Sequence, residues 1–352
     1  MDDEAHMRRA VALAATVRDR TAPNPWVGSV VVPAGSAAGS VEGTAAGSST
    51  STPSGAAAAV GPVFEGATAP PGGAHAEVAA LAAAGDAARG ATLYVTLEPC
   101  AHQGRTPPCT DAIVAAGVAR VVVGIEDPDP QVAGRGIEAL RSAGIDVEVG
   151  VAADEVAEQL APYLKHRTTG QPWVVLKMAA SLDGRTAAPD GTSRWITGET
   201  ARRDVHRLRA SSDAVLVGAG TVRADDPELT VRLDDGVERT QPLRVVLGTA
   251  PKDARVQPAL ELSGDLDGVL SELGERGVLQ LLVEGGPSVA HEFHAAGLVD
   301  RYVVYLAPVF FGGDDARPLF AGHGAGTIDD VWKGRVISVQ RLGDDLRVEV
   351  AA

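Results

Sequence analysis

The sequence predicts an α/β protein made of two layered domains, on three observations. Its 352 residues are enough for two domains that each bury a core of their own. Short apolar strands alternate with helical patterns in both halves, the arrangement of helices packed on a sheet. Between the halves, a helical stretch from Asp154 to His166 leads into the polar segment Arg167 to Pro172, which reads as a joint. The expected boundaries are 1–150 for the first domain, 151–171 for the connecting helix and joint, and 172–352 for the second domain.

The first domain opens with a helix over about Asp3 to Arg18, followed by a strand from Val27 to Val32. Pro33 to Gly61 is almost entirely Gly, Ala, Ser, Thr and Pro, with Glu42 its single charge and no aromatic residue. Such a segment buries too little apolar surface to offset its ordering entropy and predicts a flexible insertion at 33–60; an ordered lid is the competing reading. From Val63 the pattern resumes with a short strand and a helix over Val78 to Ala84 ended by Gly85. A strand from Thr92 to Leu97, a helix from Cys109, a strand from Arg120 to Ile125, a helix near Gly136 to Ala143 and a strand from Asp146 to Val149 follow. Asp127 to Pro130 reads as a turn. In the second domain the strands are Trp173 to Lys177, Ala214 to Val217, Arg244 to Leu247, Leu279 to Val283 and Val303 to Leu306, and Thr200 to Arg209 is helical.

Net charge is −15 and the isoelectric point about 4.9, a balance that disfavours nonspecific contact with nucleic acid or anionic membrane. A phosphate site must then be a local cluster of basic residues. No apolar run reaches membrane-spanning length, and the start Met1-Asp2-Asp3-Glu4 is acidic, unlike the leading segment of a signal peptide. A cytoplasmic protein is expected, in a compartment where its two cysteines stay reduced and available to a metal.

Those cysteines, Cys100 and Cys109, lie with His75 and Glu77 in the segments His75-Ala76-Glu77 and Glu98-Pro99-Cys100 through Pro107-Pro108-Cys109. One histidine and two thiolates can hold zinc with a coordination position left for water, and a glutamate that is not a ligand can move that water's protons. His-x-Glu followed by Pro-Cys and a second Cys is the pattern of zinc deaminases. Residues two apart on a helix point to opposite faces, so His75 and Glu77 share a site only if His75 stands at a helix start. Cys109, after two prolines, also opens a helical pattern, and two helix N-termini facing one metal favour thiolates. Read separately, His-Ala-Glu could be an ordinary helix and the cysteines small core residues.

Together with Pro23-Asn24-Pro25-Trp26-Val27-Gly28, these segments resemble the bifunctional deaminase/reductase family of riboflavin biosynthesis. The second half carries the resemblance on in Leu176 to Arg185, Ser193-Arg194-Trp195-Ile196-Thr197, Ala224 to Arg232 and Val283-Glu284-Gly285-Gly286. The resemblance implies a cytidine-deaminase-like three-layer first domain and a second domain with the dihydrofolate-reductase fold. It implies one zinc ion held by His75, Cys100 and Cys109 with Glu77 moving protons. Zinc-bound hydroxide would displace the 2-amino group of a diaminopyrimidinone bearing ribosylamine 5′-phosphate, and NADPH would then reduce the ribosyl group to ribityl.

By the same resemblance Asn24 binds the pyrimidine, and His102 and Arg105 contact substrate or phosphate. Ala179, Trp195, Thr221, Asp225 and the turn Gly286-Pro287-Ser288 lie on NADPH; Ser193, Arg209, Leu229, Arg232 and Glu284 hold substrate; Lys177 and Asp225 are catalytic. Read from the residues alone, the glycine turns at Gly218 to Thr221 and Gly285 to Ser288 fit either dinucleotide phosphates or plain strand-to-helix packing. Lys177 and Asp225 likewise fit a surface ion pair. Arg209 and Arg232 are the candidates for a bidentate phosphate contact, and Arg202, Arg203 and Arg207 for a solvated helix face.

Thr68 departs from the family, whose members often carry histidine seven residues before the zinc histidine. His291-Glu292-Phe293-His294 reads as a surface helix rather than a second metal site, and His6, His166, His206 and His323 as surface residues. The expected partners are phosphorylated pyrimidine small molecules and a second copy of the chain in a homo-oligomer, with neither nucleic acid nor membrane. Another base deaminase fused to an unrelated reductase, or a structural zinc scaffold, are the competing functions; a free Glu77 carboxylate argues against the scaffold.

Overall fold

The computed structural model describes residues 2–35, 63–104, 106–233, 235–237 and 239–352. All but the first three residues of the predicted insertion, and Arg105, lie outside the described residues. The chain divides into two compact units, one ending at Leu164 and the other beginning at Lys165.

In the first unit, α1 (Asp3–Ala15) precedes β1 (Gly28–Val32), β2 (Phe64–Ala67), α2 (Ala76–Ala84), β3 (Thr92–Leu97), α3 (Cys109–Ala116), β4 (Arg120–Ile125), α4 (Arg135–Ser142), β5 (Asp146–Val149) and α5 (Ala153–Thr169), whose residues from Lys165 on belong to the second unit. The sheet order is β2-β1-β3-β4-β5, with β1 antiparallel to both neighbours and β3, β4 and β5 parallel. Every residue of β1 and β3 is buried, as expected of strands covered on both faces. Asp2 caps α1 by accepting from the Ala5 N–H at 3.1 Å. At Gly66 of β2 a Cβ would lie 2.2 Å from the Ala76 carbonyl oxygen, so only glycine lets this strand approach the start of α2 so closely. α5 runs to Thr169, so Arg167 to Thr169 are helical rather than part of a loose joint; Lys165 within it pairs with Asp300 at 2.6 Å, and Thr169 back-bonds to the Lys165 carbonyl.

The second unit contains β6 (Trp173–Ser181), β7 (Arg185–Ala187), α6 (Glu199–Ala210), β8 (Ala214–Gly218), α7 (Ala219–Asp225), β9 (Leu243–Leu247), β10 (Leu260–Leu262), α8 (Leu266–Glu275), β11 (Gln280–Gly285), α9 (Pro287–Ala295), β12 (Arg301–Ala307), β13 (Arg317–Pro318), β14 (Arg335–Leu342) and β15 (Asp345–Ala351). Its main sheet runs β10-β9-β8-β11-β6-β12-β15-β14, parallel from β10 through β12 and antiparallel across β15 and β14. Alternate residues of β8 enter opposite cores: Ala214 and Leu216 pack with Leu270, Leu273 and Phe293 of α8 and α9, while Val215 and Val217 pack with Ala201 and Val222 of α6 and α7. Helices therefore cover both faces of the sheet. Unlike the sequence expectation, His166 and His206 are half-buried and hydrogen-bonded, to the Gly274 and Thr230 carbonyls, and the His6 ring packs at a tilt against Tyr94.

Candidate functional site

Two sites emerge, one in each unit. In the first unit, β3 delivers Cys100 three residues beyond its end, His75 is the N-cap of α2, and Cys109 is the first residue of α3. Prolines 107 and 108 hold the chain extended up to that helix start, since proline fixes φ and restricts the residue before it. His75 Nδ1 lies 3.2 Å from Cys109 Sγ and 3.6 Å from Cys100 Sγ, and the three donor atoms all fall within 4.8 Å of one another. The hydrogen bond between Cys109 and Cys100 lowers the pKa of the Cys100 thiol to about 4 and raises that of Cys109. Glu77 is buried behind them, and burial raises its pKa. This donor set fits zinc: one imidazole and two close thiols, with a buried carboxyl beside them.

A cavity of about 220 Å³ opens on the cluster, lined by Asn24, His75, Cys100, His102, Gly104 and Thr106. Asn24 and His102 are thus brought to the site, whereas Arg105 lies outside the described residues. Thr68 is buried and faces the start of β1, its hydroxyl accepting the Val27 N–H at 3.0 Å. Glu98 has a part that the sequence reading missed. Its buried carboxylate accepts the N–H groups of Asp127, Gly134, Gly136 and Ile137 at 2.8–3.2 Å, fixing the strand end that carries Cys100. An acid directly after a wholly buried strand was the feature to be explained. The turn at Asp127 is likewise more than a turn, since Asp127 is buried and accepts the Tyr163 hydroxyl at 3.0 Å.

In the second unit two adjoining cavities, of about 420 and 520 Å³, share Lys177, Ala179, Ser193 and Asp225. The first lies beyond the C-terminal ends of parallel strands and is also lined by Thr221, Glu284, Gly286, Pro287 and Ser288. Gly285 and Gly286 have φ of +76° and +29°, and a Cβ on Gly286 would sit 2.8 Å from Thr221 Oγ1. Pro287 opens α9, where its missing N–H costs nothing, and the free first-turn amides of such a helix suit phosphate. The cradle fits a dinucleotide. Ser193, Trp195, Arg209, Leu229 and Arg232 line the second cavity, so Trp195 stands on a different cavity from the glycine turn with which the sequence grouped it.

Between the cavities lies a buried charge cluster. Arg209 Nε and Nη2 donate to the two Glu284 oxygens at 2.5 and 3.0 Å, and its Nη1 donates to the Thr230 carbonyl at 3.1 Å. Lys177 is 3.7 Å from Glu284, so its ion pair is with Glu284 and not with Asp225. Burial pushes the Glu284 carboxyl up, but the charges of Arg209 and Lys177 outweigh it and hold the pKa at about 2. Burial lowers the pKa of Lys177, against the pull of Glu284. Arg232 pairs with Glu228 at 2.5 Å. Arg202 is no solvated residue: it borders the second cavity, donates to the Thr197 carbonyl at 2.6 Å and lies 4.6 Å over the Trp195 ring.

Residues 1–125 match the zinc-binding region of cytidine and deoxycytidylate deaminases, and residues 172–348 match the RibD C-terminal domain. The riboflavin biosynthesis protein RibD of Escherichia coli K12 is 40% identical to this chain, with 98% of each chain covered. The chain belongs to the RibD family. It is a bifunctional enzyme, a zinc-dependent deaminase joined to a reductase. RibD of Mycobacterium tuberculosis H37Rv is 44% identical over 82% of this chain and 87% of its own. Acinetobacter baumannii RibD superposes with a TM-score of 0.87 at 36% identity, covering 99% of this chain and 98% of that one. The Thermotoga maritima deaminase/reductase gives 0.83 at 34% identity over the same shares. Among the described residues, no helix is long and apolar enough to cross a membrane.

Proposed function

We propose that the first unit deaminates 2,5-diamino-6-ribosylamino-4(3H)-pyrimidinone 5′-phosphate at the His75, Cys100 and Cys109 centre, and that the second reduces the ribosyl group of the resulting uracil to ribityl. The observation that carries the reading is the set of three converging ligand atoms with the buried Glu77 carboxyl against them. Zinc, when bound, supplies the Lewis acidity that makes water a nucleophile at neutral pH. Glu77 takes the proton of that water and returns protons to the ring nitrogen and the departing amino group, so that water's oxygen replaces ammonia. A carboxyl whose pKa is raised by burial suits both directions of transfer. Asn24 and His102, on the cavity wall, orient the pyrimidine, and Arg105 is assigned to the same task from the sequence alone.

In the second unit, NADPH when bound supplies the hydride. Ala179, Thr221, Asp225 and the Gly286-Pro287-Ser288 turn hold it, and Trp195 packs against it from the second cavity. Ser193, Leu229 and Arg232 hold the phosphorylated substrate. Lys177 and Asp225 border both cavities, where cofactor and ribosyl group would meet, and manage the proton that the imine nitrogen takes up as hydride reaches C1′. Glu284, clamped by Arg209, keeps Lys177 in place. The reading includes a cytoplasmic homo-oligomer; for the expected lack of nucleic-acid and membrane partners, the support is the net charge of −15.

The test is incubation with the phosphorylated diaminopyrimidinone, with and without NADPH, followed by mass spectrometry. Without NADPH the product should carry oxygen in place of an NH group; with it, two further hydrogens. Release of ammonia from cytidine or guanine instead would assign the chain to another deaminase class.

A further inference from the structure

The two nitrogens of His75 face different neighbours. Nδ1 points at the thiols, 3.2 Å from Cys109 and 3.6 Å from Cys100, while Nε2 lies 3.3 Å from the hydroxyl oxygen of Thr106. An imidazole that gives one nitrogen's lone pair to a metal keeps its proton on the other, and the partner of that other N–H fixes both the tautomer and the ring orientation. With Nδ1 turned to the thiols, Nε2–H is the donor and Thr106 Oγ1 the acceptor.

We infer that Thr106 is a positioning residue of the deaminase centre, holding the His75 ring so that Nδ1 faces the two thiols. The inference rests on the zinc reading above and adds to it a residue outside the ligand set. Local structure supports the placement. Thr106 lies in the eight-residue loop between the cysteines and directly precedes Pro107-Pro108, which confines its backbone to extended conformations. Its carbonyl accepts the Gly104 N–H at 3.2 Å, and at the loop's ends the Thr110 N–H donates to the Cys100 carbonyl at 3.2 Å. The loop is thus closed on itself at both levels. The β-branched side chain has few rotamers to lose, so holding its hydroxyl on the imidazole costs little entropy. Two other roles compete. Thr106 also borders the cavity beside Asn24 and His102, where it could touch substrate, and its methyl group could merely pack.

Zinc affinity separates the three. The full-length chain and its Thr106→Val, Thr106→Ser and His75→Ala variants are titrated against a chromogenic zinc chelator at equilibrium, with a melting curve for each and the absorption spectrum of the cobalt-substituted protein. Thr106→Val keeps the shape and removes the hydroxyl, so zinc should bind roughly 10- to 100-fold more weakly, the effect of losing such an outer partner. Thr106→Ser should bind zinc as the parent does, with the parent's cobalt spectrum. Parent-like zinc affinity in Thr106→Val overturns the inference, whether or not deamination is lost, because lost turnover at full affinity marks a substrate contact. Equal weakening in Thr106→Ser also overturns it, because that variant keeps the hydroxyl on which the inference rests. If His75→Ala keeps the parent's affinity, the zinc reading itself fails; if His75→Ala loses zinc and Thr106→Val does not, only the role of Thr106 falls.

Discussion

Replacing Arg209 by alanine should act first on stability, although the sequence nominates this residue as a phosphate ligand. All three of its nitrogens are engaged, two by Glu284 and one by the Thr230 carbonyl, and the side chains of Arg209 and Glu284 are only 12% and 7% exposed. Removing one partner of a buried ion pair costs roughly 3–5 kcal/mol, because the other charge stays behind unpaired. Lys177, 3.7 Å from Glu284, compensates in part, which places the expected cost near the lower end, about 3 kcal/mol. At ~2–4 °C per kcal/mol for a unit of this size, the melting transition of the second unit should fall by about 6–12 °C. The effect should fade in acid. Glu284 has its folded pKa depressed to about 2, so its contribution is complete above the unfolded value of roughly 4.3 and is lost as pH falls through the folded value. Calorimetry of parent and Arg209→Ala at neutral pH and at about pH 3, with steady-state kinetics of reduction, checks this. A parent-like melting curve combined with a raised KM for the phosphorylated substrate would refute it and return Arg209 to the phosphate.

Glu77→Gln should keep about one zinc per chain by metal analysis yet lose deamination by roughly 10²-fold or more, with NADPH-dependent reduction of supplied uracil intermediate intact; an emptied zinc site would contradict the division of roles. Glu98→Ala strips one carboxylate from four N–H groups and should cost about 3 kcal/mol or more in the first unit, seen as a lowered melting transition and weaker zinc retention; a transition unchanged from the parent would show that water replaces the carboxylate.

The sequence by itself determined the zinc centre and the order of most elements. His75, Cys100 and Cys109 are placed by local rules: a helix start at His75, prolines ahead of Cys109 and an apolar strand ending just before Cys100. Strands β1, β3, β4, β8, β9 and β11 were legible for the same reason, since a strand covered on both faces reads as a short apolar run. Strands β14 and β15, joined by a tight turn, were not read, because β14 is largely exposed and carries no continuous apolar signal. What only the tertiary structure decided is which charges meet. Arg209 and Glu284 are 75 residues apart and Lys177 and Glu284 still farther, and they converge because β6 and β11 pair in parallel register beside α6. Composition cannot tell a buried clamp from a free phosphate ligand, since both are arginines at the end of a helix. The same holds for Arg202, whose helical pattern reads as solvated while the fold lays it over Trp195. Glu98 and Thr106 lie within the legible motifs, yet their partners come from other elements, and a motif names residues without saying what they touch.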